Sequence, residues 1–464
     1  MARWVDIPIW SPVYTNVDET ALRNGQAVLE NAFITEARGH SRFPGLRSWT
    51  TLPTPGRVHL FPWRDDLVAV TGQGRIYRIG RDGTVVDVTG VPVTGGKRVI
   101  AARTEDDIVF AAGGPMVRYA EPTSVLLSDE APETTHVGYV DGYLIALETG
   151  SGRFRYTDPS DYASWPALNV LTAEAQHDAA TCMIVTPFRE VLICGPESIE
   201  QWERNAAGTD PFFRRWTAGE GVFAPYTLTS ADNAAWAVTR LRELSRISGQ
   251  LSQPASVAVQ DTLERADDWT DAWSAVVNMR GNRFIILQLP FATTPYGTRG
   301  LTFAYDYRQR RFSFLYGWDD DRSAPGRWPG WSIGSQWGKT FVGGDGAIYE
   351  LDADTYAQDA GTMPMVGRTG HWDPKGNARV NNLRIRMRRG QASGEVAFQV
   401  RVNKDNLGWR PWLSKPIGKA GDRYMYIDTG PLGTARTWQF EYRVTQPIPM
   451  EVVSVEALVE KLGH

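Results

Sequence analysis

Read on its own, the chain is an all-β protein: a six- or seven-bladed β-propeller with an additional C-terminal β-sandwich or jelly-roll-like domain. Three observations lead there. One strand-turn-strand phrase recurs seven times, its spacing suits a four-stranded blade, and beyond residue 366 the chain changes to longer alternating strands.

The phrase is plainest in EVLICGPESIEQW, residues 190–202, where Val191, Leu192, Ile193 and Cys194 form an apolar run, Gly195-Pro196 breaks it, and Ile199 and Trp202 resume it. An apolar run closed by a Gly-Pro turn and followed by a second apolar segment is the signature of a hairpin. Close restatements begin at Leu67, Asp107 and Tyr143, and weaker ones at Ala234, Arg283 and Lys339. With Leu67, Ile108, Tyr143, Val191, Ala234, Phe284 and Thr340 as anchors, the separations are 41, 35, 48, 43, 50 and 56 residues. A period of about 40 to 50 residues with room for four strands fits a propeller blade, and the windows alternate as strands do, which excludes helical repeats. The fifth and sixth repeats are the least regular, with insertions expected at DDWTDAW (267–273) and ATTPYGTRG (292–300).

Length and composition agree. A chain of 464 residues exceeds the roughly 250 to 300 at which one core stops growing. Its 45 Gly, 28 Pro and 52 aromatic residues suit short strands joined by many turns. Residues 1–50 carry no blade phrase and read as an N-terminal arm, 51–366 as the propeller and 367–464 as the second β domain. That last domain contains VNNLRIRMRRG, EVAFQVRV, DRYMYIDTG, RTWQFEYRV and MEVVSVEALVE, long alternating strands parted by Gly- or Pro-containing turns. In NLRIRMRR, residues 382–389, period-two alternation is expected to bury Leu383, Ile385 and Met387 and to turn Arg384, Arg386 and Arg388 to the other face. That face reads either as a solvated charged surface or, with Arg384, Arg386 and Arg388 as its candidates, as an interface with a neighbouring subunit or partner through bidentate pairs with carboxylates.

A formal net charge of −4 gives no case for a nucleic-acid surface that works by counterion release. The opening MARWVDIPIW lacks the basic and apolar regions of a secretory signal, and no apolar run approaches the ~18 residues of a membrane span. A soluble protein made in the cytosol is expected. Cys182 and Cys194 stand without a framework of spacings and read as buried free thiols.

Motifs that would carry chemistry fall short. GWSIG at 330–334 matches the G-x-S-x-G elbow around Ser332, but an elbow needs a helix after the serine and here a strand-turn-strand phrase follows. GSQWGKT at 334–340 has three residues between its glycines where a P-loop needs four. LDADTYAQD at 351–359 lacks the Gly and Glu of a calcium loop, and VNKDNLGWRPW at 402–412 is out of step with a sialidase box. No catalytic, cofactor-binding or metal-binding residues are expected, and the chain reads as a non-enzyme.

The order of HSRFPGLRSW (40–49), CGPESIEQW (194–202), YELDADTYAQD (349–359), GWRPW (408–412), PIGKAGDRY (416–424) and PLGTARTWQFEYRV (431–444) resembles the tail-hub family of short-tailed bacteriophages, also called nozzle or packaged DNA stabilisation proteins. The resemblance runs from about residue 30 to the C-terminus. It implies a structural virion protein of the short tail, synthesised in the host cytoplasm. Such a subunit joins a homo-hexameric ring below the portal and adaptor (the head-to-tail connector), extends the DNA ejection channel and helps retain packaged DNA. Its partners would be portal and adaptor proteins, a needle, fibre or spike, and genomic double-stranded DNA passing without sequence-specific binding. The alternative reading is a glycan-binding or sialidase-like propeller.

Overall fold

Each of the seven recurring anchors lies on the second strand of a four-stranded blade in the computed structural model, from Leu67 on Asp66–Thr71 to Thr340 on Lys339–Gly343. The structure describes residues 2–9, 13, 15, 27–173, 178–205, 210–279, 281–359, 361–390, 394–418 and 423–462. Residues 16–26 of the expected N-terminal arm lie outside these. The described residues form seven blades: 58–87, 100–126, 137–172, 182–218, 229–254, 273–314, and 332–352 joined by Gly45–Thr51. The chain is therefore a seven-bladed propeller with a β-sandwich beside it. Among the described residues no helix is long and apolar enough to cross a membrane.

The second strand is apolar throughout because both of its faces are covered. In blade 4, Val191 and Ile193 pack against Ile145, Phe154 and Tyr156 of blade 3. The alternate residues Leu192 and Cys194 pack against Ala235, Ala237 and Ile247 of blade 5. Burying each large side chain contributes about 1.5–3 kcal/mol, and each seam between neighbouring blades has a cluster of this kind. Cys182 and Cys194 are free and buried in one of these seams.

Closure of the ring depends on the N-terminal segment. Gly45–Thr51 pairs antiparallel with Ala347–Asp352 and becomes the outer strand of blade 7. Phe341 and Ile348 of that blade then meet Leu67, Ala69 and Tyr77 of blade 1. Ser332 secures the inner strands: its hydroxyl donates to the Val58 carbonyl at 2.8 Å and accepts from the Leu60 N–H at 3.0 Å. Ser332→Ala leaves both backbone groups unsatisfied, and a loss of about 1–3 kcal/mol is expected in denaturant melts.

The sandwich has two sheets. One contains Ala32–Ile34, His40–Arg42, Met450–Lys461, Ala378–Arg389 and Arg423–Asp428, with Arg3–Ile7 and Gly433–Ala435 also paired to it. The other contains Val28–Glu30, Met365–Arg368, Trp438–Val444, Val396–Lys404 and Leu413–Gly418. Val28–Glu30 also lies parallel to Arg311–Phe314, so this second sheet continues into blade 6 as one nine-stranded sheet. Leu383, Ile385, Met387 and Trp438 share one apolar cluster with Trp236 of blade 5 and Ile285 and Leu287 of blade 6.

The described strands among residues 1–50 thus do not form an arm leading into the propeller. They are woven into both bodies, with Val5 opposite Ala457, Glu30 beside Val366, His40 opposite Val452 and Gly45 opposite Asp352. Most are only three residues long, too short to show alternation, and four of the five pair with strands hundreds of residues away. Asn31 ties the crossing point. It is buried at φ 50°, its side chain donates to the Pro364 carbonyl at 2.9 Å and accepts from the Tyr316 N–H at 2.9 Å.

Candidate functional site

A propeller repeats one blade about an axis, and here every blade opens with its inner strand. The residues just ahead of the inner strands therefore gather at one mouth of the axis. Arg57 precedes Val58–Trp63, Arg98 precedes Ile100–Arg103, His136 precedes Val137–Val140, Asp271 precedes Trp273–Met279 and Trp331 precedes Ser332–Gln336. Five blades contribute to one cluster of charged and aromatic groups.

Trp331 is its centre. Arg57 and Arg327 lie 4.4 and 4.2 Å from its ring centroid, within range of cation–π attraction. Its indole N–H donates to Asp345 at 2.6 Å, and Asp345 is also paired with Arg327. Arg57 donates to Asp271 at 2.5 Å. Arg98 donates to the Trp331 carbonyl at 2.7 Å and lies 4.7 Å from the Trp273 ring centroid.

The electrostatics follow from crowding. Burial lowers Arg98 to about 10, with Asp271 opposing and Arg57 reinforcing the shift. His59, on the inner strand of blade 1, is held well below its usual range by burial and then by Arg98 and Arg57. Its Nδ1 is buried without a hydrogen-bond partner. His136 stacks on Tyr226 with centroids 5.4 Å apart, and burial pushes it down to about 4. Burial and Asp271 raise Tyr226 to about 12. Among the described residues the mouth brings together the guanidinium groups of Arg57, Arg98 and Arg327, the carboxyl groups of Asp271 and Asp345, and imidazoles that burial holds neutral.

The arginines singled out from sequence lie elsewhere. Leu383, Ile385 and Met387 are buried, while Arg386 and Arg388 are exposed and Arg384 half-buried on the outer face of the sandwich. Arg384 pairs with Asp428 of the adjacent strand at 3.0 Å and lies 4.5 Å from the Trp4 ring. Arg386 lies 5.3 Å from the Tyr424 ring and 5.9 Å from that of Tyr426, and both tyrosines are exposed. This flat patch of arginine and aromatic residues has the composition of interface hot spots.

The incomplete motifs have structural roles. Ser332 is the ring staple, with its hydroxyl proton committed to a carbonyl. Within GSQWGKT, Trp337 and Gly338 have φ of 52° and 74° and form a two-residue hairpin turn of the mirror type. Asp352 accepts from the Asp354 N–H at 3.1 Å and the Thr355 hydroxyl at 3.0 Å, closing the acidic loop on itself. Among the described residues no group of three or more His, Cys, Asp or Glu could hold a metal ion.

Sequence reading missed the axial cluster because it anchored on the second strand, where the apolar signal is strongest. Aligning the repeats on the first strand instead sets Arg57-Val58, His136-Val137 and Trp331-Ser332 in the same place, polar or aromatic residues directly ahead of a buried strand. That is the signal that was available.

No protein-family model and no curated protein matches the chain. Among solved structures it is similar to a streptogramin B lyase, at 11% identity and a TM-score of 0.44 over 66% of this chain and 96% of that one. It is also similar to the WD40 β-propeller domain of Doa1, at 10% identity and a TM-score of 0.41 over 66% and 97%. Virginiamycin B lyase from Staphylococcus aureus matches at 10% identity and 0.41 over 65% and 96%. Similarity at this level concerns the propeller fold and carries nothing about activity.

Proposed function

We propose that the protein is a structural virion component, a tail hub or nozzle subunit, without enzymatic activity, that assembles as a ring of six below the portal and adaptor of a short-tailed phage. Its role is to extend the DNA ejection channel and to help retain the packaged genome. The observation that carries this reading is the nine-stranded sheet running from blade 6 through Val28–Glu30 into the sandwich. A wall element of a tube must transmit load between its parts, and a shared hydrogen-bonded sheet resists hinge motion far better than a linker. The order of short motifs resembling the tail-hub family supports the same reading.

The outer face of the sandwich, with Arg384, Arg386 and Arg388, is the surface assigned to a neighbouring subunit or to a needle, fibre or spike. Association of free subunits is weak and closes on the adaptor ring, because a template fixes the rotation that heterologous contacts require. The lumen is neutral or acidic, since a basic wall would grip the phosphate backbone.

Cryo-electron microscopy of assembled tails tests the ring directly, with six copies on the adaptor as the expected result. A monomer that never joins the tail, or a lumen lined with Arg and Lys, overturns it. The double variant Arg386→Glu, Arg388→Glu is expected to fold normally yet fail to enter tails, and normal incorporation removes these residues from the interface.

A further inference from the structure

We propose that the axial mouth of the propeller is a binding site for a single carboxylate, taken by Arg98. This goes beyond the virion reading and stands on the mouth geometry alone. Arg57 is committed to Asp271 and Arg327 to Asp345. Among the described residues, Arg98 has no carboxylate within ion-pair distance, and its side chain's one hydrogen bond goes to the Trp331 carbonyl. Among the described residues, three guanidinium groups against two carboxylates leave one positive charge without a counterion, and that charge sits on the least-paired arginine.

Its surroundings favour occupation. Arg98 is partly exposed although packed against Trp273. Burial raises the free energy of an unpaired cation, so a bound anion recovers what burial costs. The guanidinium is planar and presents parallel N–H donors, which match the two oxygens of a carboxylate. His59 supplies a second observation: its buried Nδ1 lacks a partner, and its ring feels both Arg98 and Arg57. Buried polar atoms are normally paired, and an orphan at such a spot marks a place built for something else. The net charge of one selects a monoanion over a phosphate dianion. The half-buried Tyr226 ring, close enough to Arg98 to feel its charge, gives the ligand an apolar wall.

Titration calorimetry and thermal shift at matched ionic strength test the site, with sodium acetate, sodium benzoate, sodium phosphate and sodium chloride as probes. Saturable binding of the carboxylates is expected, with benzoate tighter than acetate, phosphate weaker than both and chloride showing no saturation. A short glycine peptide, compared with its C-terminally amidated form, distinguishes a peptide terminus from a free acid: loss of binding on amidation assigns the terminus, and acetate binding without peptide binding assigns the small acid. Arg98→Gln is expected to abolish the saturable signal and Arg98→Lys to weaken it several-fold. Should Arg98→Gln fail to fold, Asp271→Asn decides, because it frees Arg57 and should tighten carboxylate binding several-fold. Identical responses to carboxylate and chloride, tighter binding of phosphate, or an unchanged affinity in Asp271→Asn overturns the proposal.

Discussion

Glu30→Gln should stabilise the protein by about 3 kcal/mol at pH 8 and leave it nearly unchanged at pH 4. Glu30 is buried on the strand that joins blade 6 to the sandwich, and burial raises its pKa to about 7 against the opposing hydrogen bond from Tyr296 and the charge of Arg368, with Glu441 adding to the rise. The Tyr296 hydroxyl donates to its carboxylate at 2.6 Å. Below the ordinary carboxylate pKa, folded and unfolded chains both carry the proton and the group is neutral in its effect. Between that value and about 7 the folded chain binds the proton and the unfolded chain does not, so stability falls as pH rises. Above about 7 the loss is complete, and a rise of roughly 2.5 pKa units corresponds to about 3 kcal/mol. Glutamine keeps an acceptor for Tyr296 and carries no charge. Urea unfolding of both proteins from pH 4 to 8 checks this, and curves that stay parallel across that range would refute it. The buried salt bridges of Arg368 and Arg401 to Glu441, at 2.6 and 2.8 Å, are present in both proteins and cancel in the comparison.

Leu46→Asp is expected to cost on the order of 4 kcal/mol or more and to release the closing strand. Leu46 lies in Gly45–Thr51 and is buried with Phe33, Phe43, Phe284 and Val342 in the seam between blades 6 and 7. An aspartate there has no cation among these neighbours, and burying an unpaired charge is among the most destabilising single changes. Freed of its outer strand, blade 7 presents an open edge and the ring loses its latch. Limited proteolysis should cut the variant within the N-terminal segment before the wild type is touched anywhere in the blades. Val86→Asp, on an exposed edge strand of blade 1, is the control, with a change within about 0.5 kcal/mol. Equal stability of the two variants would show that closure does not depend on this strand.

The recurring phrase made the propeller legible because the second strand of each blade is covered on both sides and must be apolar along its length. The five long segments after residue 366 were equally legible, and each coincides with a strand, from Ala378–Arg389 to Met450–Lys461. Alternation correctly gave Leu383, Ile385 and Met387 to the core. The insertion ATTPYGTRG was visible as irregularity, yet its use was not: Tyr296 at its tip reaches Glu30, 266 residues away in sequence.

Local periodicity determined what each segment is, since a strand's pattern records which of its faces meets water. Partnership across the chain was decided only by the tertiary structure. That Gly45–Thr51 closes blade 7, that Val28–Glu30 fuses propeller to sandwich, and that Arg57, Arg98, Asp271 and Trp331 converge on one mouth all depend on pairs separated by tens to hundreds of residues. Such pairs leave no periodic trace, because each participant contributes one residue or a three-residue strand and the complementarity appears only when the ring closes.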